Sequence, residues 1–190
     1  PLRLVGSEMC IRDRPYDNER SPDKSLFISE IVDLLKPLAT TILIEPGRSI
    51  VGEAGLLISK VINTKKSTSK NFIIVDAGMN DLLRPPLYNA YHSIKEIVYN
   101  GANKIVCDVV GPVCETADFI GKDRNLSVSK GDYVAVESVG AYGFSLSSNY
   151  NTRMKSAEYL IAKDGQNIRK IRDRDTCLLY TSPSPRDVEE

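Results

Sequence analysis

The sequence predicts two pieces of different architecture, an α/β segment followed by an all-β domain, on three observations. Phe27, Ile31, Leu34, Leu35 and Leu38 recur at i, i+4, i+7, i+8 and i+11, one apolar face of a helix. A β-branched run, Thr41 to Ile44, follows directly and reads as a buried strand, so helix and strand make the final unit of an α/β arrangement. After residue 50 the helical period stops. Short β-rich runs then alternate with Gly, Pro, Asn, Asp and Ser clusters at the spacing of a sandwich or barrel.

Each element has a local reason. Ser21-Pro22-Asp23 supplies a capping serine, proline at the first helical position and an early acid, so the helix spans 21–38 and stops near Pro37. The expected strands fall within 56–63, 71–78, 91–99, 103–110, 132–139 and 157–165, with Gly131-Asp132 turning the chain into YVAVE. Residues 15–50 are therefore assigned to the α/β piece and 51–172 to the β domain. Residues 1–14, with the string SEMCIRDR, and 173–190, with CLLYTSPSPRD, carry no period and read as non-native flanking sequence.

Lys plus Arg and Asp plus Glu number 25 each, for a formal net charge of zero, which removes the electrostatic case for nucleic-acid or anionic-membrane partners. No apolar run approaches the ~18–20 residues that span a bilayer. The four cysteines show no CxxC spacing and His92 is the sole histidine, so no metal site is expected. The cysteines read as reduced thiols, which points to a cytoplasmic location.

Five loops hold the chemistry. Glu45-Pro46-Gly47-Arg48-Ser49 follows the expected buried strand; Gly47 permits close backbone approach to an anion, and Arg48 can clamp a carboxylate or phosphate. In DAGMNDLLRPPLY (76–88), Arg84 precedes Pro85, which holds its backbone extended, and a second arginine near Tyr88 suits another carboxylate. His92 reads as structural. In GPVCETAD (111–118), Cys114 beside Glu115 is a mostly protonated thiol and a plausible proton donor, whereas Cys107 lies inside a strand and reads as inert. Gly140-Ala141-Tyr142-Gly143 offers a flat aromatic wall, and Ser147 to Asn151 is a polar loop. No GxGxxG, Walker, GxSxG or HExxH motif occurs, and no serine sits in a nucleophile-elbow sequence, which argues against a hydrolase reading.

Taken in order, EPGRSIV, DAGMNDLLRPPLY, GPVCETADF and GAYGFSLSSNYNTR resemble the diaminopimelate branch of the pyridoxal-phosphate decarboxylases. That family joins an alanine-racemase-like (β/α)8 barrel to a C-terminal β domain. The resemblance implies the last helix/strand unit of that barrel in 15–50 and the β-barrel or sandwich domain in 51–172. It implies decarboxylation of meso-2,6-diaminopimelate to L-lysine with pyridoxal 5'-phosphate. Glu45, Pro46, Gly47, Arg48 and Tyr142 would then lie at the cofactor; Arg48, Arg84, Tyr88, Glu115 and Tyr142 would bind the substrate; Cys114 would be the catalytic proton donor. Cys114 and Glu115 would serve the partner's site in a homodimer. The family loop Cys-Glu-Ser-Gly-Asp is here Cys-Glu-Thr-Ala-Asp, with thiol and carboxylate kept.

The family's Schiff-base lysine, ring-stacking histidine and phosphate-binding glycine cluster have no counterpart in these residues, so the chain reads as a C-terminal fragment, expected to be inactive alone. The alternatives are a non-catalytic β-domain module that binds or regulates a full-length subunit, or a related decarboxylase of ornithine/arginine type.

Overall fold

The computed structural model describes residues 24–38, 41, 47–99, 101 and 103–176. The expected helix start at Ser21 to Asp23, and the expected strand apart from Thr41, lie outside them. Helix α1 (Lys24–Leu35) forms as the apolar period requires and tightens into a 3-10 turn at Lys36–Leu38, where Pro37 lacks the donor an α-helix needs. Its apolar face is not enclosed: Phe27, Ile31 and Leu35 are half-buried and Leu34 is exposed.

Six strands make the main sheet: β1 (Leu57–Lys66), β2 (Asn71–Val75), β3 (Ile94–Glu96), β4 (Ile105–Val110), β5 (Phe119–Leu126) and β6 (Tyr133–Val136). Their order is β3-β6-β1-β2-β4-β5, antiparallel throughout except for β2 and β4, which run parallel. A second, two-stranded sheet pairs β7 (Glu158–Ile161) with β8 (Ile168–Arg172). Alternation buries one face of the main sheet, where Val61, Ile73, Val75, Cys107, Val109, Ile120, Leu126, Val134 and Val136 form the core with Leu82 and Ile94.

The sheet curls until its edge strands meet, which gives the domain its barrel-like form. A Cβ placed on Gly121 of β5 would stand 2.9 Å from Ile94 Cδ1 of β3. Glu96 Oε1 on β3 accepts the Ser127 N–H just beyond β5 at 2.9 Å, and Lys104 Nζ donates to Glu96 Oε2 at 3.2 Å. Closure satisfies edge groups that an open sheet would leave unpaired.

Strands β5 and β8 are absent from the sequence expectation. In β5, Lys122 to Asn125 interrupts the apolar alternation, and Asp123 adopts a positive φ of 55° opposite an irregular stretch of β4. In β8 every residue is exposed, so burial leaves no period to read.

Direction decides where function can sit. Because β1 is antiparallel to both β2 and β6, and β4 is parallel to β2, strands β2, β4 and β6 all run the same way. The loops that follow them, 76–93, 111–118 and 137–157, therefore leave from one end of the sheet. The segment leading into β1 and the residues before β3 reach the same end.

Candidate active site

Two groups of side chains meet at that end. The first gathers Arg48, Arg84, Tyr88, His92 and Tyr142. Arg48 sits in a 3-10 turn (Gly47–Ser49) and is fully buried. The chain after it is fastened to the Tyr142 loop by Gly140 N–H to Gly52 O at 2.9 Å and Val139 N–H to Gly55 O at 3.1 Å. This approach is backbone on backbone: a Cβ on Gly140 would collide with the Val51 carbonyl. Tyr142 itself takes a left-handed φ of 61°, a costly conformation for an aromatic residue.

The Arg84 guanidinium lies 5.3 Å from the Tyr88 ring centroid and 5.4 Å from that of Tyr142, within cation–π range of both. Arg84 is not extended, as its place before Pro85 predicts. It opens a short helix, α2 (Arg84–Tyr88), because prolines in a first turn forfeit no hydrogen bond. One turn of helix then sets Arg84 and Tyr88 on the same side, at i and i+4.

His92 is fully buried, as a structural histidine should be, and its Nδ1 lies 2.8 Å from the Glu137 carbonyl. A carbonyl can only accept, so Nδ1 carries the proton. Burial pushes the imidazole down to about 4; the hydrogen bond to Glu137 resists, and Arg48, Arg84 and Arg124 push further down. Arg124, stacked 4.0 Å over Tyr91, completes a strongly cationic surround for this neutral ring.

The second group is Cys114, Glu115 and Tyr150. Cys114 and Glu115 are exposed, and the Tyr150 hydroxyl donates to Glu115 Oε1 at 2.5 Å. Cys107 is buried, its Sγ 3.3 Å from the Arg124 carbonyl, and burial beside Asp108 raises its thiol to about 11. Of the two thiols described, only Cys114 can meet a ligand.

A polar frame ties the groups together. Buried Asp118 accepts Met79 N–H through Oδ1 and Val113 N–H through Oδ2, both at 2.6 Å, joining the 76–81 loop to the cysteine loop. Buried Asn80 accepts Ser148 N–H through its carbonyl at 2.9 Å and Arg153 Nε–H through Oδ1 at 3.0 Å. Arg153 also donates to the Asp76 carbonyl at 2.5 Å and lies 3.8 Å from Asp81. Burial raises the carboxyls of both Asp81 and Asp118, against the N–H groups that donate to them. Asp175, within the stretch read as flanking sequence, accepts from Asn149 Nδ2 at 2.8 Å and Lys155 N–H at 2.9 Å.

Of the residues singled out from sequence, Glu45 and Pro46 lie outside the described residues. Gly47 takes a left-handed φ of 55°, a conformation glycine adopts without strain. Sequence reading overlooked Asp118, Asn80 and Arg153 as supports, and took Tyr150 only as part of a polar loop. Apart from the Asp118–Val113 bond, which is local, the contacts that join these loops span 35 to 77 residues, beyond any local pattern. A polar cavity of about 140 Å³ lies beside this frame, lined by Asp76, Asp81, Arg153, Ser156 and Arg174 among others; none of the expected site residues lines it. Among the described residues no cluster of His, Cys, Asp and Glu could hold a metal, and no helix is long and apolar enough to cross a membrane.

Comparison with known proteins gives this geometry a family. Diaminopimelate decarboxylase of Aquifex aeolicus is 45% identical over 181 residues, 95% of this chain and 42% of that protein. Diaminopimelate decarboxylase of Haemophilus influenzae is 48% identical over 163 residues, 85% of this chain and 39% of that protein. The crystal structure of the Helicobacter pylori enzyme complexed with L-lysine is similar, with a TM-score of 0.78 at 45% identity, over 87% of this chain and 42% of that one. The chain thus spans about two fifths of the length of the relatives it matches. Residues 13–140 match the family model described as the pyridoxal-dependent decarboxylase C-terminal sheet domain, and the chain belongs to that family.

Proposed function

We propose that this chain is the substrate-recognition part of a decarboxylase that converts meso-2,6-diaminopimelate to L-lysine and carbon dioxide, in the cytoplasm. Residues 51–172 are its sheet domain, 15–50 the end of its barrel, and 1–14 and 173–190 flanking sequence. The observation that carries this reading is the meeting of Arg48, Arg84, Tyr88 and Tyr142 at the end of the sheet that also presents Cys114 and Glu115. A diamino diacid needs cations for two carboxylates and an anion for its far ammonium, and Arg48, Arg84 and Glu115 supply that pattern.

The residues present also fit pyridoxal phosphate. A buried guanidinium, a glycine in the left-handed region and a tyrosine suit an anionic, ring-bearing group. Glu45 to Arg48 and Tyr142 would hold it, and when bound it supplies the electron sink for the carbanion left by carbon dioxide. Arg48, Arg84 and Tyr88 orient the carboxylates. Glu115 binds the distal ammonium, and Cys114 Sγ–H delivers the proton to the carbon that has lost carbon dioxide. The family resemblance extends the reading to a homodimer in which Cys114 and Glu115 complete the partner's site.

The full-length enzyme carrying this segment, supplied with pyridoxal phosphate, is expected to release carbon dioxide from meso-diaminopimelate. Cys114→Ser should lower kcat by about 10²-fold, the low end for a lost general acid. Release from ornithine or arginine, with none from diaminopimelate, would overturn the substrate assignment.

A further inference from the structure

We propose that Tyr150 is a positioning residue for Glu115: its hydroxyl engages one carboxylate oxygen and so presents the other to the substrate's distal ammonium. This rests on the role given to Glu115 above. At 2.5 Å to Oε1 the contact has the length of an O–H donor on a carboxylate oxygen, and it leaves Oε2 for a ligand. Glu115 is an exposed side chain, and fixing it beforehand removes rotamer entropy that binding would have to overcome.

The loop that delivers Tyr150 is held as a rigid arm. Asn80, itself buried, grips it on both sides: its carbonyl accepts Ser148 N–H and its Oδ1 accepts Arg153 Nε–H. Between these anchors Asn151 and Thr152 take left-handed φ values of 58° and 57°. For β-branched Thr152 this is a strained conformation, and such strain persists only where the surroundings impose it. Tyr150 N–H also points to Ser148 Oγ at 3.3 Å, and Arg153 N–H to the Tyr150 carbonyl at 3.3 Å. A strained loop clamped at both ends thus sets one phenol against one carboxylate. The hydrogen bond to Glu115 raises the phenol's pKa above its ordinary value, so the hydroxyl, protonated through the neutral range in any case, is held as a donor to the carboxylate.

The role is distinguishable from a structural one because it concerns a single substrate group. In the full-length enzyme, Tyr150→Phe should raise KM for meso-diaminopimelate about tenfold, the scale of one charge-assisted hydrogen bond, with kcat changed less. The Ki of 2-aminopimelate, which keeps both carboxylates but lacks the distal amino group, should not move. In a Glu115→Ala background, Tyr150→Phe should change neither. Equal weakening toward both compounds, or the same KM increase with and without Glu115, would overturn the proposal. So would an unchanged KM in Tyr150→Phe while wild type is active. A wild-type enzyme inert toward diaminopimelate would instead overturn the functional reading, and this inference with it.

Discussion

The two groups at the functional end of the sheet are held by different physics. Arg48 and His92 are fully buried, and the segment carrying Arg48 is stitched to the Tyr142 loop through glycine backbones that admit no side chain. Cys114, Glu115 and Tyr150 stand exposed, and what orders them is a frame of hydrogen bonds through Asp118, Asn80 and Arg153. Arg48 and His92 are therefore part of the fold, and the second group is mounted on it. Substitutions in the first should cost stability, and in the second chiefly function. Mounted in this way, the second group projects past the core without exposing the core.

The largest effect expected from this contrast is a pH dependence centred on His92. Its folded value, about 4, lies below the ordinary 6.5, so below 6.5 the unfolded chain binds the proton that the folded one refuses. The contribution of His92 is therefore complete above pH 6.5 and is lost as the pH falls toward 4. A shift of this size corresponds to about 3 kcal/mol. Urea midpoints measured from pH 7 to pH 4 should fall, and His92→Gln should flatten that slope. A slope unchanged by the substitution would mean that His92 is accessible to solvent and protons in the folded state, and that Arg48 and His92 are not enclosed as a buried pair.

Next comes the join between the groups. Both Asp118 oxygens accept backbone N–H groups, one from each loop. In Asp118→Asn one of those donors faces an NH₂, and a buried unsatisfied donor costs about 2 kcal/mol. The pH dependence has the opposite sign to that of His92. Burial raises this carboxyl above its ordinary range, so its contribution falls as pH rises through the interval between the unfolded and folded values. Denaturant titration at pH 7 checks the first point. Loss of stability with Cys114 alkylation by iodoacetamide unchanged would show that the cysteine loop does not depend on Asp118 for its shape.

These cases mark what was legible in the sequence. Strands β1, β2, β4 and β6 have alternating or continuous apolar runs and could be read directly, as could Arg84 with Tyr88 and the Cys114-Glu115 pair, whose neighbours in the chain are also their neighbours in space. Strand β5 could not, since its charged centre is exposed and its ladder is bulged. The frame residues were hidden for another reason. Asp118 matters because a parallel β2–β4 pair brings two loops to one end, and parallel pairing depends on a long crossover that no local pattern announces. Tyr150 was one polar residue among several until its loop met Glu115 across 35 residues of chain.

The smallest expected effect is the sharpest test of the contrast. Cys114→Ser replaces one exposed, hydrogen-capable group by another of similar size, in a loop whose shape is set by Asp118 and by the Asp118 N–H to Glu115 carbonyl bond at 3.1 Å. Nothing buried is lost, so its urea midpoint at pH 7 should stay within about 0.5 kcal/mol of wild type, as for other exposed substitutions. Should it drop by as much as Asp118→Asn, the thiol is packed rather than presented. The second group would then belong to the core after all, and the separation between a group built into the fold and a group mounted on it would collapse.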